Sequence, residues 1–328
     1  MNLAPILRKL GLRFPILQAP IGSVASPELA AAVANAGGLG HLACTWRTPE
    51  QLRTLFRATD ALTSRAYGAN FVLDFPIEDR LEAALTHGVR VVSFFWGDGA
   101  RYVTQVKAAG AVAIQVVGSI VEARQAADAG FDLIVAQGRE AGGHVRGQLG
   151  TFALLPQVVD AVAPLPVIAA GGIVDYRGVA AAKALGADGV WVGTRFLAAN
   201  EANIHPRYQE LVIGCNGDDT LYSEIFNLGW PSAALRTLQN STTRTWIAAG
   251  RPTSPERPGE GENVARRADG SGIPRYSFSS PTRDIDGDAE AMALYAGEAV
   301  GLVRARQPAA EIVTELAVGF GPTGSWSY

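Results

Sequence analysis

Cysteine is nearly absent from this chain of 328 residues: only Cys44 and Cys215 occur, far apart. Two isolated thiols build neither a disulfide framework nor a zinc site, and they point to a reducing compartment. An excess of charge of one sign is missing too, with 28 Lys and Arg against 31 Asp and Glu. The formal net charge is −3 and no basic block appears, so nothing favours a nucleic-acid backbone, which needs clustered Lys and Arg. No uninterrupted apolar run reaches the roughly 18 residues of a membrane helix. The start, Met1-Asn2-Leu3-Ala4-Pro5, lacks the basic region, apolar core and cleavage site of a secretory leader. The chain opens on no Gly-x-Gly-x-x-Gly fingerprint, and neither a Ser nucleophile elbow nor a metal-ligand cluster appears, so a Rossmann site is unsupported. The expectation is a cytoplasmic protein, monomer or homodimer, that acts on a small molecule and has no nucleic-acid or membrane partner.

What the chain does contain is apolar residue, 48% of the total against 18% charged, enough for a large core. Short apolar runs alternate with alanine-rich stretches. The runs are Ile16 to Pro20, Leu39 to Ala43, Tyr67 to Leu73, Arg90 to Phe95, Val112 to Val117, Leu133 to Gln137, Val167 to Ala170 and Gly189 to Gly193. Helices open between them at Ser26-Pro27-Glu28 and Thr48-Pro49-Glu50, where a hydroxyl cap precedes a first-turn proline. Several close on Ala-Gly or Leu-Gly, as at Ala36-Gly37 and Leu185-Gly186. Eight strands alternating with helices imply a parallel sheet covered on both faces. An open doubly wound sheet uses the same alternation, but the count of eight favours a closed (β/α)8 barrel. The barrel core is expected over residues 12–200. Residues 201–328 read as a helical extension packed on it, with a long loop at 250–284 rich in Gly, Pro and Ser.

In such a barrel, chemistry sits at the C-terminal ends of the strands. Strand seven ends in Ala170-Gly171-Gly172 and strand eight in Gly193-Thr194-Arg195. Glycines let backbone N–H groups approach an anion, and barrels often hold a phosphate there; tight turns are the plain alternative. Arg195 either adds charge or pairs with a barrel carboxylate. Of four histidines, His41 reads as core or rim, while His87 and His205 read as helix-end or turn residues. His144 follows Gly142-Gly143 on a glycine-rich loop at the mouth, where an imidazole could move a proton. A surface-loop histidine is the equal alternative. Two amides on strands, Asn70 and Gln115, need buried partners, either a bound ring or a neighbouring loop.

These segments, with Gln18-Ala19-Pro20-Ile21, Leu29 to Gly40, Val92-Ser93-Phe94, Glu140-Ala141-Gly142-Gly143-His144 and Ala187 to Phe196, resemble the nitronate monooxygenases, formerly 2-nitropropane dioxygenases. The resemblance implies a TIM barrel that binds FMN without a covalent link. It places the phosphate on Ala170, Gly171, Gly172, Gly193 and Thr194. It sets Asn70 and Gln115 against the isoalloxazine, counts Ala19, Pro20, Ile21, Gly138, Gly142 and Gly143 among the residues that bind the cofactor, and gives His144 as base or substrate anchor. Ser93 and Trp96 are then expected to line the substrate pocket. Two departures stand out: Ile21 where many relatives carry Met, and the bulky Phe95-Trp96-Gly97-Asp98 after strand four. The implied reaction is oxidation of alkyl nitronates, or of nitroalkanes, with O2 as co-substrate, giving a carbonyl compound and nitrite. The alternatives are an NAD(P)H-dependent reductase of quinones or enoyl thioesters, similar to enoyl-ACP reductase II, and a flavin-binding protein without turnover.

Overall fold

All eight apolar runs fold as parallel strands: β1 Ile16–Gln18, β2 His41–Ala43, β3 Gly68–Val72, β4 Val91–Phe95, β5 Val112–Val117, β6 Leu133–Gln137, β7 Val167–Ala170 and β8 Gly189–Val192. These come from a computed structural model that describes residues 3–321. The tail Gly324-Ser325-Trp326-Ser327-Tyr328 lies outside the described residues. The sheet runs β1-β8-β7-β6-β5-β4-β3-β2. It closes between its two ends through a parallel bridge from Leu17 to Leu39, with Gln18 N–H donating to Leu39 O and Leu39 N–H to Ile16 O, both at 2.9 Å. One step further the side chain of Gln18 takes over, its Oε1 accepting the His41 N–H at 2.9 Å. The ring of strands is therefore a barrel.

Side chains alternate in and out with the period of two that strands impose. Leu17, Val91, Val112, Ile114, Leu133, Val135, Ile168 and Trp191 fill the interior, and Leu7, Leu10 and Leu12 of the N-terminal segment plug its lower end. The intervening residues, such as Val92, Phe94, Ala113, Ile134, Ala169 and Val190, pack outward against the helices. Those helices start where their caps stand. Ser26 Oγ accepts from Leu29 N, and Thr48 forms a reciprocal box with Gln51. The helix expected directly after β8 is only the stub Thr194–Leu197. The eighth place in the ring is filled by Ala309–Ala317, which packs between Pro27–Asn35 and Tyr176–Ala184 and against β1.

Between stub and eighth helix the chain differs from a purely helical extension. It holds helices Pro206–Gly214 and Ser241–Ala248, but also two strands, Thr220–Ser223 (β9) and Leu235–Leu238 (β10). Neither carries a clear period-two pattern, Leu235 to Leu238 reading Leu-Arg-Thr-Leu, and β10 takes as its second partner a segment remote in sequence, Gly143–His144. The 250–284 stretch is built too. Asn263–Arg266 pairs antiparallel with Gly272–Pro274 on one side and with Asp286–Gly287 on the other. Buried Arg257 ties it down, donating to Ile225 O, Asn227 and Glu260 with its guanidinium 4.1 Å over Tyr276. No helix among the described residues is long and apolar enough to cross a membrane.

His41 is a core residue. Its ring lies inside the barrel, 4.3 Å from that of Trp191 and pressed against Gly68. Neither ring nitrogen meets a partner in good geometry, and burial holds its pKa down at about 3. A histidine kept neutral in the native state charges first in the unfolded one. Stability therefore falls as pH drops from about 6.5 towards 3. Each such histidine costs about 2 kcal/mol between pH 7 and pH 5. Urea melts at the two pH values should show that His41→Phe removes this increment; an unchanged pH difference would contradict the assignment.

Candidate active site

The C-terminal mouth of the barrel gathers most of the expected residues. Ala19, Pro20 and Ile21 follow β1, and Ala19 N–H donates to Val192 O at 2.8 Å, which sets them beside the end of β8. A Cβ on Gly193 would lie 3.4 Å from Ile21 Cγ2 and 3.6 Å from Ala19 Cβ, so it would fill a shallow cradle without clash. Gly171 and Gly172, at φ +99° and +70°, turn the backbone at the end of β7, the strand that pairs with β8. Thr151 holds that turn, its hydroxyl lying 3.2 Å from Ala170 O and 3.0 Å from Gly171 O. Gly138 sits against Thr151, and its N–H donates to Ala170 O at 2.9 Å. Gly142 packs on Ala296 and Gly297 so closely that a Cβ would come within 2.5 Å of their backbone. Thr194 Oγ1 accepts the Gly297 N–H at 3.0 Å, linking β8 to the same segment. Backbone turns, an uncrowded floor and a hydroxyl suit a phosphate-bearing group.

Arg195 does not face this cradle. It is buried and bonds to Gln307 and, at 3.2 Å, to Glu315 on the eighth helix. Of its two sequence-level roles, pairing with a carboxylate is the one the structure supports. We expect Arg195→Met to lower stability by about 1–3 kcal/mol in a denaturant melt. Cofactor affinity should stay within about twofold, because the glycine cradle is untouched. A large loss of affinity would put the guanidinium back in the site.

His144 is not on a free loop. Gly143–His144 is a short strand paired antiparallel to β10, with His144 opposite Leu235 and Gly143 opposite Arg236, and β10 pairs with β9. The extension thus fixes the histidine. Its Nε2 is buried with no hydrogen-bond partner, and burial lowers its pKa to about 3. It is a neutral imidazole. The ring of Trp230 covers it at 3.9 Å and 31°, with Tyr295 at 5.6 Å and Trp96 edge-on at 6.0 Å. Trp96 has φ +61°, a left-handed backbone that turns the end of β4 towards this cluster. Phe75, Phe278 and half-exposed Trp46 extend the wall outward.

Asn70 and Ser93 face each other inside the barrel, Asn70 Nδ2 donating to Ser93 Oγ at 2.9 Å. Gln115 is elsewhere. In β5 the inward residues are Val112, Ile114 and Val116, so Gln115 points outward with Ala113 and Val117. Its amide secures the loop after β4, accepting from Gly99 N at 3.2 Å and donating to Gly97 O at 3.1 Å. The expectation that it touches a flavin ring is therefore corrected; the parity of the strand decides it. The amide that sequence reasoning passed over is Gln137. Two residues beyond Val135, it shares the inward parity of β6, donates to His144 O at 3.2 Å and leaves its Oε1 buried without a partner. Counting in twos from Leu133 would have found it. Trp46, Phe75, Trp230, Phe278 and Tyr295 were also missed. They come from separate loops and share no local signature.

Comparison with known proteins agrees with this architecture. A family model described as nitronate monooxygenase matches residues 4–79 and 74–319. A (3aS,4S,5R,7aS)-5-hydroxy-7a-methyl-1-oxo-octahydro-1H-indene-4-carboxyl-CoA dehydrogenase of Mycobacterium tuberculosis is 39% identical over 236 residues. That match covers 71% of this chain and 66% of the relative, just short of two thirds of its length. A nitronate monooxygenase of Paraburkholderia phytofirmans is 32% identical, covering 95% of this chain and 93% of that one. Among solved structures, FabK from Thermotoga maritima superimposes with a TM-score of 0.81 at 30% identity, covering 98% of this chain and 96% of its own. The family match spans nearly the whole chain, barrel and extension together, so the chain belongs to the nitronate monooxygenase family and is an enzyme of its flavin-dependent oxidoreductase type.

Proposed function

We propose that this enzyme binds FMN at the barrel mouth and oxidises alkyl nitronates, and nitroalkanes, with O2 to a carbonyl compound and nitrite. The observation that carries the reading is His144: a neutral imidazole with a free buried Nε2, held at the mouth beside the glycine cradle. Gly171, Gly172, Gly193 and Thr194 would hold the phosphate. Asn70, Gln137 and the Ala19–Ile21 segment would hold the ring, Gln137 offering its unpartnered Oε1 as an acceptor. FMN, when bound, supplies the electron-accepting and oxygen-reducing chemistry.

The chain's own part is proton transfer and enclosure. His144 takes the α-proton of a neutral nitroalkane on Nε2. Burial keeps the imidazole uncharged and so able to accept a proton; the same desolvation weakens it as a base, and the negative charge developing on the substrate beside it is what raises its basicity again. Trp230 and the rings around it keep water from the developing carbanion. For a preformed nitronate the same nitrogen only orients the substrate.

A second reading is favoured by the 39% identity to a carboxyl-CoA dehydrogenase: the carbon acid is then an acyl thioester and the electron exchange runs with NAD(P)H or another acceptor. One anaerobic mixing experiment separates the two. FMN-loaded enzyme is mixed with propionate 3-nitronate, a nitroalkane, NADH or NADPH, and flavin absorbance is followed before air is admitted. The proposal expects bleaching by the nitro compounds and nitrite release in air. Rapid bleaching by NAD(P)H with none by any nitro compound would replace it with the reductase reading. Protein that takes up no FMN would end both.

A further inference from the structure

The Nε2 of His144 is closed off. It is buried without a partner, and the indole of Trp230, itself only 3% exposed, lies over the ring at 3.9 Å. Trp96 at 5.2 Å, Phe75 at 5.4 Å and Phe278 at 6.2 Å pack against that indole in turn, so the rings fill the space with one another. A nitrogen that exchanges a proton with a substrate must come within hydrogen-bond reach of it, so the cover has to leave. Trp230 stands in the loop 224–234 between β9 and β10, beside exposed Gly229, Pro231 and Ser232. The base of the loop is tied down. Leu228 N–H donates to Tyr276 O at 3.1 Å, Arg257 donates to Ile225 O and Asn227, and Ala234 O accepts from Val145 N–H at 2.9 Å. The tip is held differently. Among the described residues, 229–233 make one hydrogen bond to another element, from Trp230 Nε1 to Oδ2 of Asp74 on the loop after β3, at 2.9 Å. Gly229 and Ser232, at φ +97° and +58°, flank the tip with left-handed turns, the positions where a pivoting segment absorbs its change of direction. Asp74 is exposed, so when this bond parts, water takes both the carboxylate and the indole N–H, and neither is left unpaired.

We propose that Trp230 is a gate over His144 and that Asp74 is the residue that positions it, its carboxylate latching the indole N–H. Substrate enters when the latch parts and 229–233 swing aside; the indole then returns and excludes water during proton transfer. This rests on the reading of His144 as the group that meets the substrate. The packed rings hold the closed form, so the open one is a minority, about 0.1–10% of molecules. Asp74 acts on that fraction through Trp230.

The test reads access to His144, not turnover. FMN-loaded protein is treated with diethylpyrocarbonate, which acylates neutral imidazole nitrogen, and the adduct on His144 is timed by peptide mass spectrometry. Labelling through a minor open form should run at least about tenfold slower than that of N-acetylhistidine. Asp74→Ala removes the acceptor and should raise the His144 rate about tenfold, the worth of one charge-assisted hydrogen bond at the surface. Asp74→Asn keeps an acceptor oxygen and should stay within about threefold of the parent. In a Trp230→Phe background the donor is gone, so Asp74→Ala should change nothing further. His87, at the end of helix Glu78–His87 and bonded to Asp60, is the internal standard and should label alike in every variant. Parent protein labelled at His144 as fast as N-acetylhistidine, an Asp74→Ala rate equal to the parent's, no rescue by Asp74→Asn, or the same Asp74→Ala effect with and without the indole N–H would each overturn the proposal. Turnover of nitro compounds is measured separately. If the labelling behaves as expected while none of them is oxidised, the gate stands and the nitronate reaction fails.

Discussion

His144→Ala is expected to lower kcat on a neutral nitroalkane by about 10²–10⁴-fold, the usual contribution of a positioned general base. The same change should lower the rate on a preformed nitronate by no more than about tenfold, since that substrate has already lost its proton. The contrast matters more than either value. Truncation also removes the ring on which Trp230 lies, so some loss through misplacement is common to both substrates. Only proton transfer makes the two diverge. A second signature is the pH profile. With its pKa held near 3, His144 stays neutral across the working range, so kcat/KM should show no acidic limb near pH 6.5 from this residue. Steady-state rates on nitroalkane and nitronate between pH 5 and 8 decide the matter. Equal losses on both substrates would reduce His144 to an anchor.

The second large effect is expected at Gly193. Its backbone, at φ −107°, is open to any residue, and a Cβ there meets only ordinary contacts with Ile21 and Ala19. Gly193→Val should therefore fold. Its side chain would occupy the cradle and hold the phosphate away from the turn at Gly171 and Gly172. Loss of two charge-assisted hydrogen bonds at the proposed phosphate site would weaken FMN binding by about 10²–10⁴-fold. The purified variant should be colourless, with a circular dichroism spectrum like that of the parent. Yellow protein with unchanged affinity would move the phosphate elsewhere. The contrast with Gly138 is useful, because a Cβ there would stand 2.0 Å from Thr151 Oγ1 and disturb the fold itself.

The barrel was legible because its signal is local. Each strand is an apolar run, each helix opens on a cap such as Ser26 or Thr48, and the eight-fold repetition excludes most other architectures. The ends of β7 and β8 were legible for the same reason, as were Gly142, Gly143 and His144. Gln115 went astray because periodicity within a strand was not carried through to the side that faces in. The same count that turns Gln115 outward brings Gln137 inward. The strands of the extension were hidden by distance: β9 and β10 make sense only once β10 lies beside Gly143–His144. The aromatic wall was hidden most completely. Apart from Trp96, its members Trp46, Phe75, Trp230 and Phe278 lie up to 232 positions apart, and nothing near any one of them announces the others.

The placement of Ala309–Ala317 as the eighth helix has a consequence for how the chain is made. Strand β8 is complete by residue 192, yet the element that seals the groove between Pro27–Asn35 and Tyr176–Ala184 is synthesised more than a hundred residues later. At about 5–20 residues per second, a ribosome leaves that apolar seam uncovered for several seconds or more. Until then the apolar faces of Pro27–Asn35 and Tyr176–Ala184 lack that partner, and the contacts that close the seam are long-range in sequence. Expression at lower temperature, or with holdase chaperones, should raise the soluble yield chiefly by protecting this seam.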